Sequence, residues 1–336
     1  MRHVRRSPRS RRSVAAIVVG ALLLVVGGGI AAYFGVRTSL DGNMERIDAF
    51  ADVDPATRPS APPVKGPTAP MNILVLGSDS RISAGDPTVW EAGAQRTDAI
   101  MLVHIAADRQ TAAVISIPRD SWVPIPGYGE AKINAAFSFG GPPLMIHTVE
   151  SLTGVRIDHF ALTDFESFTT LTDSLDGVEI TVPAAAGGSV RQAMTGEEAL
   201  LFARERYSLA NGDFGRVQRQ QAWMRAILAK VSEDRTDLLK MSSFLGAVTN
   251  AVTVDEGFTF DTMQDLAISV RNISGDDITF MTAPYAGTDR SADGQSIVVL
   301  DRATFDPLME AVAKDELPSF LEANPDGMDV LPAVVQ

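Results

Sequence analysis

Apolar positions along this chain fall into three kinds of run. Residues 14–34 (VAAIVVGALLLVVGGGIAAYF) hold 21 positions without a charge, and about 20 apolar residues span a bilayer as a helix. Shorter apolar runs at 72–77, 99–105 and 111–117 predict buried strands. The last two are joined by Ala106-Ala107-Asp108-Arg109, a connection of hairpin length. Further strands are expected at 159–162, 178–182, 278–282 and 297–300. Helical spacing falls near 143–153, 164–175, 196–206, 214–231, 262–271 and 303–313. Helices interleaved with strands predict a layered α/β/α fold, a mixed central β-sheet covered by helices and preceded by a single transmembrane helix.

Punctuation divides the chain further. Residues 1–13 read as a basic cytoplasmic tail, 14–36 as the anchor, 37–70 as a Pro-rich spacer and 71–317 as one globular domain. Residues 318–336 read as a loose C-terminal tail. Pro55, Pro59, Pro62, Pro63, Pro67 and Pro70 make the spacer extended and unable to build a core. No internal repeat is visible.

Charge orients this arrangement. Six arginines and no acid precede the apolar run, and only Arg37 follows closely, which predicts a cytoplasmic N-terminus with the body outside. A cleaved signal peptide is the competing reading, against which the run exceeds the usual 7–15 residues or so. The net charge is −13, hence −19 once those six arginines are set aside. So acidic a body excludes general nucleic-acid binding, and an anionic substrate would need a local arginine cluster. With no cysteine in the chain, disulfides, thiolate metal sites and a cysteine nucleophile are excluded. There is no GxxxxGK loop and no GxSxG elbow, and the four histidines are scattered. His104, inside an apolar strand, reads as a core histidine.

Two clusters carry candidate chemistry. Asp79 follows the first strand and Asp98 precedes the second. If the strands are antiparallel neighbours, both lie at one sheet edge. The hairpin returns the third strand to that edge, where Arg119 follows, so topology gathers Asp79, Asp98 and Arg119 with Arg81 and Arg96 beside them. Two carboxylates in oxygen-rich surroundings suit magnesium; each alone also reads as a turn or strand-end cap or as an arginine partner. The second cluster is Arg204 and Arg206, then Asp213 as an N-cap and Arg216, Arg219 and Gln220 on the helix that follows. Arginines at a helix N-terminus oppose its dipole and so call for an anion. An exposed charged helix paired to Glu205 and Asp213 is the bland alternative.

These motifs, in order, resemble the LytR-CpsA-Psr family. The match runs through NILVLGSDSR (72–81), RTDAIMLVHI (96–105), VISIPRDSWVPIPGYGEAKINAAFSFGG (114–141), LTGVRIDHFALTDFESF (152–168) and FARERYSLANGDFGRVQRQQ (202–221). The resemblance implies a single-pass enzyme of the cell membrane with its catalytic domain outside. It implies transfer of a glycopolymer phosphate (teichoic acid, capsule or arabinogalactan) from a polyprenyl-pyrophosphate carrier to a peptidoglycan hydroxyl. By resemblance, Asp79 and Asp98 match magnesium-binding aspartates, while Arg81, Arg119, Arg204, Arg206 and Arg216 match arginines that hold the pyrophosphate. Arg219 and Gln220 are adjacent candidates, and Lys132 and Asn134 lie in a motif expected near the site. Hydrolysis of the same lipid by water, or a non-catalytic lipid-binding membrane regulator, are the alternatives.

Overall fold

The computed structural model describes residues 38, 41–51, 53–62, 64, 68–78, 97–185, 187–205, 212–234 and 237–336. The expected anchor at 14–36 lies outside them, and among the described residues no helix is long and apolar enough to cross a membrane. Asp79, Arg81, Arg96 and Arg206 also lie outside. Residues 44–336 form one compact unit, distinct from 1–43.

The elements in chain order are β1 (Glu45–Ile47), β2 (Met71–Ser78), β3 (Thr97–Ile105), β4 (Ala112–Ser116), β5 (Trp122–Ile125) and β6 (Gly129–Lys132). Then come α1 (Asn134–Thr153), β7 (His159–Asp164), α2 (Phe165–Ser174), β8 (Val178–Pro183) and β9 (Ser189–Met194). They are followed by α3 (Gly196–Arg204), α4 (Gly212–Asp234), α5 (Leu238–Ala251), β10 (Val252–Asp255) and α6 (Phe260–Ser269). The chain continues through β11 (Ile278–Thr282), β12 (Tyr285–Arg290), β13 (Ser296–Leu300), α7 (Arg302–Ala313), α8 (Leu317–Ala323) and β14 (Asp329–Val330).

Alternation along β2 and β3 sorts the sheet into two faces. Leu74 opposes Leu102 and Leu76 opposes Ile100. These four join a core with Val123, Ile125, Ile133, Phe137 and Met145, and so lie beneath β5, β6 and α1, with Phe305 and Leu308 of α7 closing the same layer. Met101, one position out of step, faces a second core with Val178, Ile180, Trp223 and Ile227 under α4 and the β8–β9 hairpin. A third, smaller cluster of Ile73, Ile105, Ala161, Val254 and Phe258 packs against α6. The expected layered α/β fold is present. Its central sheet runs β1-β10-β7-β2-β3-β4-β11-β14. It is mixed: β2, β3 and β4 are antiparallel neighbours, while β7 runs parallel to β2 and β11 parallel to β4.

Local chemistry sets the helix ends. Thr195 accepts from Glu198 N and Glu198 returns a bond to Thr195 N, a capping box that starts α3. In α1 the backbone leaves helical geometry at Gly140 and Gly141, just before Pro142 and Pro143, and the helix ends at Gly154 with a φ of 67°.

Two expectations are corrected. The segment 37–70 is not merely a spacer. Met44, Ala49 and Val53 are buried, β1 pairs with β10, and Arg58 grips Glu150 at 2.8 Å. The C-terminal residues are not loose either: β14 pairs with β11, Leu331 and Val335 are buried, and Arg225 donates to the carbonyls of Pro332 and Ala333. His104 is a core histidine as read, its Nδ1 2.8 Å from Asn72 Oδ1 and its Nε2 3.2 Å from Asp315.

Candidate active site

One sheet edge collects the candidate residues because of strand direction. β2 ends there, β3 begins there, β4 ends there, and β7, parallel to β2, ends there at Asp164, which pairs with Ser78. Between β2 and β3 the register slips: Gly77 opposes Ala99, but Ser78 opposes Thr97, leaving Asp98 as the extra residue of a bulge. A bulge re-aims the side chain it carries. Here it puts the Asp98 carboxylate, 9% exposed, against Arg119.

Arg119 stands in the turn after β4, where Ser121 N donates to Pro118 O. Its guanidinium donates to Asp98 Oδ1 and lies 3.8 Å from Asp213 Oδ1. Arg216 lies 2.8 Å from the same Asp213 oxygen. Asp98, Arg119, Asp213 and Arg216 thus form an alternating chain of charge. Asp213 sits within the first turn of α4. Its spacing of three from Arg216 was the signal for the role it has, that of a partner on the same helical face.

Arg216 is 7% exposed, and among the described residues its Nε has no hydrogen-bond acceptor. A buried guanidinium N–H left without an acceptor is costly. Phosphate oxygens suit it, because the planar fork takes them in pairs.

The other candidates divide. Lys132 holds Asp120 at 3.0 Å, and Asn134 N donates to Arg119 O at 3.2 Å, so both brace the Arg119 turn from behind. Arg204 closes α3, exposed, with its charge at the favourable end of the helix dipole. Arg219 does not join Arg216. It donates to Phe202 O and Gln336 O and stacks over the Phe202 ring, and its burial pulls the guanidinium below its ordinary pKa. Although a spacing of three allows a shared face, the Phe202 carbonyl and ring hold it away from the charged chain. Gln220 is buried, in the wall of a narrow apolar slot.

That slot opens between the sheet and the helices α2 and α4, lined by Val75, Ala99 and Met101 of the sheet and by Phe168, Trp223 and Met224. Ala99 adjoins Asp98, so the slot reaches the charged edge. Phe137 and Phe160 are core, fully buried, whereas Phe168 meets Trp223 edge-on in the slot wall. A roomier cleft of about 630 Å³ lies between β8, β9 and α4, and none of the candidate residues lines it.

Among the described residues no group of three or more metal-binding side chains comes together. Magnesium needs only one or two carboxylates, since water and phosphate fill its other positions. Asp98 at the bulge fits that sparse requirement, with Asp79 outside the described residues.

Comparison with known proteins gives the family and the fold. Residues 45–314 match the LytR_cpsA_psr family. The cell wall biosynthesis protein LcpA of Corynebacterium glutamicum is 30% identical over 86% of this chain, and the match spans 63% of LcpA's own length. The fold is that of the LytR-Csp2A-Psr enzyme of Actinomyces oris, at 21% identity and a TM-score of 0.61 over 80% of this chain and 96% of that one. TagT of B. subtilis, at 22% identity, gives a TM-score of 0.59 over 81% and 98%; TagT has also been solved bound to LI-WTA. The family match begins at the strand β1 that closes the sheet and ends with the helix α7 that covers it, so this chain is a member of the LytR_cpsA_psr family.

Proposed function

We propose that the protein transfers a glycopolymer phosphate from a polyprenyl-pyrophosphate carrier to a peptidoglycan hydroxyl, outside the cytoplasmic membrane to which residues 14–36 anchor it. The observation that carries this reading is a junction. An arginine-rich edge with a buried Arg216, whose Nε has no acceptor among the described residues, meets an apolar slot at Asp98–Ala99. A lipid pyrophosphate has an anionic head, which the edge suits, and a hydrocarbon chain, for which the slot, about 30 Å³ as it stands, has to widen. Membership of a family that includes LcpA and the likeness in fold to TagT support the same reading.

In this proposal Arg119 and Arg216 hold the pyrophosphate oxygens and neutralise charge as it grows on the leaving phosphate. Asp213 fixes the two guanidinium groups relative to one another. Magnesium on Asp98 and Asp79 would supply further charge neutralisation on the phosphate oxygens. The acceptor hydroxyl attacks the phosphorus bearing the glycan, and polyprenyl phosphate leaves.

The test combines the full chain in detergent with magnesium, a polyprenyl-pyrophosphate oligosaccharide and peptidoglycan fragments, followed by mass spectrometry. Glycan joined to peptidoglycan through a phosphodiester, and lost in Asp79→Ala, supports the transferase. Release of glycan phosphate alone means that water is the acceptor and the protein is a hydrolase. Binding without turnover across several donor glycans overturns catalysis in favour of a lipid-binding regulator.

A further inference from the structure

The β5–β6 hairpin carries an aromatic feature that the transfer site does not use. At its tip Tyr128 N donates to Ile125 O, with Pro126 and Gly127 (φ 80°) at the central positions. Proline followed by a residue at positive φ is the signature of a type II turn, a stiff one. Gly129, at φ 78°, follows. The turn therefore presents Tyr128, 55% exposed, on a fixed backbone. Its ring stacks on Phe139 with centroids 4.9 Å apart and planes 17° from parallel, and Phe139 is itself 38% exposed. Phe139 is placed where α1 breaks at Gly140 and Gly141. Two turns of backbone thus hold two apolar rings in water.

The hairpin is continuous with the charged edge. Its base is pinned to the Arg119 turn by Ile133 N donating to Ser121 O, Asn134 N donating to Arg119 O, and the Lys132–Asp120 pair. β5 spans four residues, roughly 13 Å of strand, a distance covered by a few linked sugar rings. Beside the rings, exposed Glu130 accepts from Trp122 Nε1 at 3.2 Å and has a second carboxylate oxygen for sugar hydroxyls.

Which substrate this surface faces follows from the two sides of the sheet. The apolar slot lies on the side of Met101, under α2 and α4, whereas the hairpin and α1 pack on the side of Leu74 and Leu102. Phosphoryl transfer runs with the attacking and leaving oxygens roughly in line. If the lipid phosphate leaves toward the slot, the acceptor arrives from the hairpin side. Two stacked rings are far smaller than the roughly 800 Å² per partner of a stable protein interface. The outer face of the stacked pair, the one no partner ring covers, matches the flat C–H face of a pyranose, whose polarised hydrogens meet the negative face of an aromatic ring.

We propose that Tyr128 and Phe139 form a shelf on which the acceptor glycan lies while its hydroxyl reaches Arg119 and Asp98, an inference that rests on the transferase reading above. The test uses the full chain in detergent and a soluble N-acetylhexosamine tetrasaccharide cut from peptidoglycan. Wild type, Tyr128→Ala, Phe139→Ala, Tyr128→Phe and a distant surface control, Ile268→Ala, are titrated with the fragment, and acceptor and donor KM are measured. The two alanine variants are expected to bind the fragment and to saturate with acceptor about 10-fold more weakly. Tyr128→Phe should bind as wild type, since the ring is kept. Unchanged fragment binding in both alanine variants overturns the shelf while leaving the transferase reading intact. A rise in donor KM instead, dependent on donor sugar length, also overturns it and assigns the rings to the donor. Fragment binding that needs Tyr128 in a wild-type protein that transfers nothing would retain the glycan surface and sink the transfer reading.

Discussion

Arg119 donates to the Asp98 carboxylate across 21 positions of sequence, and the pair forms only because a bulge at Asp98 swings that side chain off the β2–β3 ladder. The carboxylate is 9% exposed and the guanidinium 19%, so the pair is largely shielded from water. Replacing Arg119 by alanine should cost about 10²–10³-fold in transfer rate. Arg119→Lys should recover little, because an ammonium cannot span Asp98 and a phosphate with a planar fork. The check is the initial rate with saturating donor; a near-normal rate in Arg119→Ala would remove it from the catalytic set.

A second outcome concerns magnesium. Chelation should stop transfer and added Mg²⁺ should restore it. Asp98→Ala should raise the half-saturating Mg²⁺ concentration at least about 10-fold, because a site with one or two protein carboxylates has little to spare. Rate measured against free Mg²⁺ decides the matter. An unshifted curve in Asp98→Ala would leave Asp98 as a partner of Arg119 alone.

The slot makes a prediction about chain length. Ala99 lies at its mouth, opposite Gly77. Ala99→Leu should fill the mouth and weaken long-chain polyprenyl donors about 10-fold or more, while short-chain donors lose less. Competition between donors of two chain lengths would show it. Equal losses for both would mean that the hydrocarbon does not enter there.

Away from the site, burial holds the Asp158 carboxyl above the ordinary carboxylate range, against the lowering pull of the Asn72 N–H bond and of His159, Arg156 and Arg58. A raised acid binds its proton more tightly when folded, so its contribution is complete at acid pH and is lost as pH rises through the folded pKa. Asp158→Asn keeps an acceptor for Asn72 N and removes the charge. Its melting temperature should match wild type at low pH and exceed it near neutrality. A difference independent of pH would refute the assignment.

The legible parts of the fold were those whose cause is local. Apolar runs gave β2, β3, β4, β7 and β11, and the order of β2, β3 and β4 was enough to place Asp98 and Arg119 at one sheet edge. Short polar strands such as β6 and β9 carry no such run; β9 is exposed at all but its last residue. The partner of Arg58, Glu150, lies 92 positions away, so a proline-rich stretch read as spacer could not reveal that it belongs to the body. Arg219 was misplaced for a geometric reason. Its spacing from Arg216 allowed a shared face, but the Phe202 carbonyl and ring drew it elsewhere. The bulge at Asp98 has no signal in the sequence, because a single register slip changes no residue type.

The eight-stranded sheet ends at both borders on scraps of chain: three residues of β1 on one side and two of β14 on the other. A long bare strand edge recruits other chains, and very short border strands are one of the ways proteins prevent this. β10 and β11 are the strands shielded here, and their covers come from outside residues 71–317. A fragment cut to 71–317 would keep every candidate active-site residue, yet it would bare both borders and be prone to aggregate edge to edge.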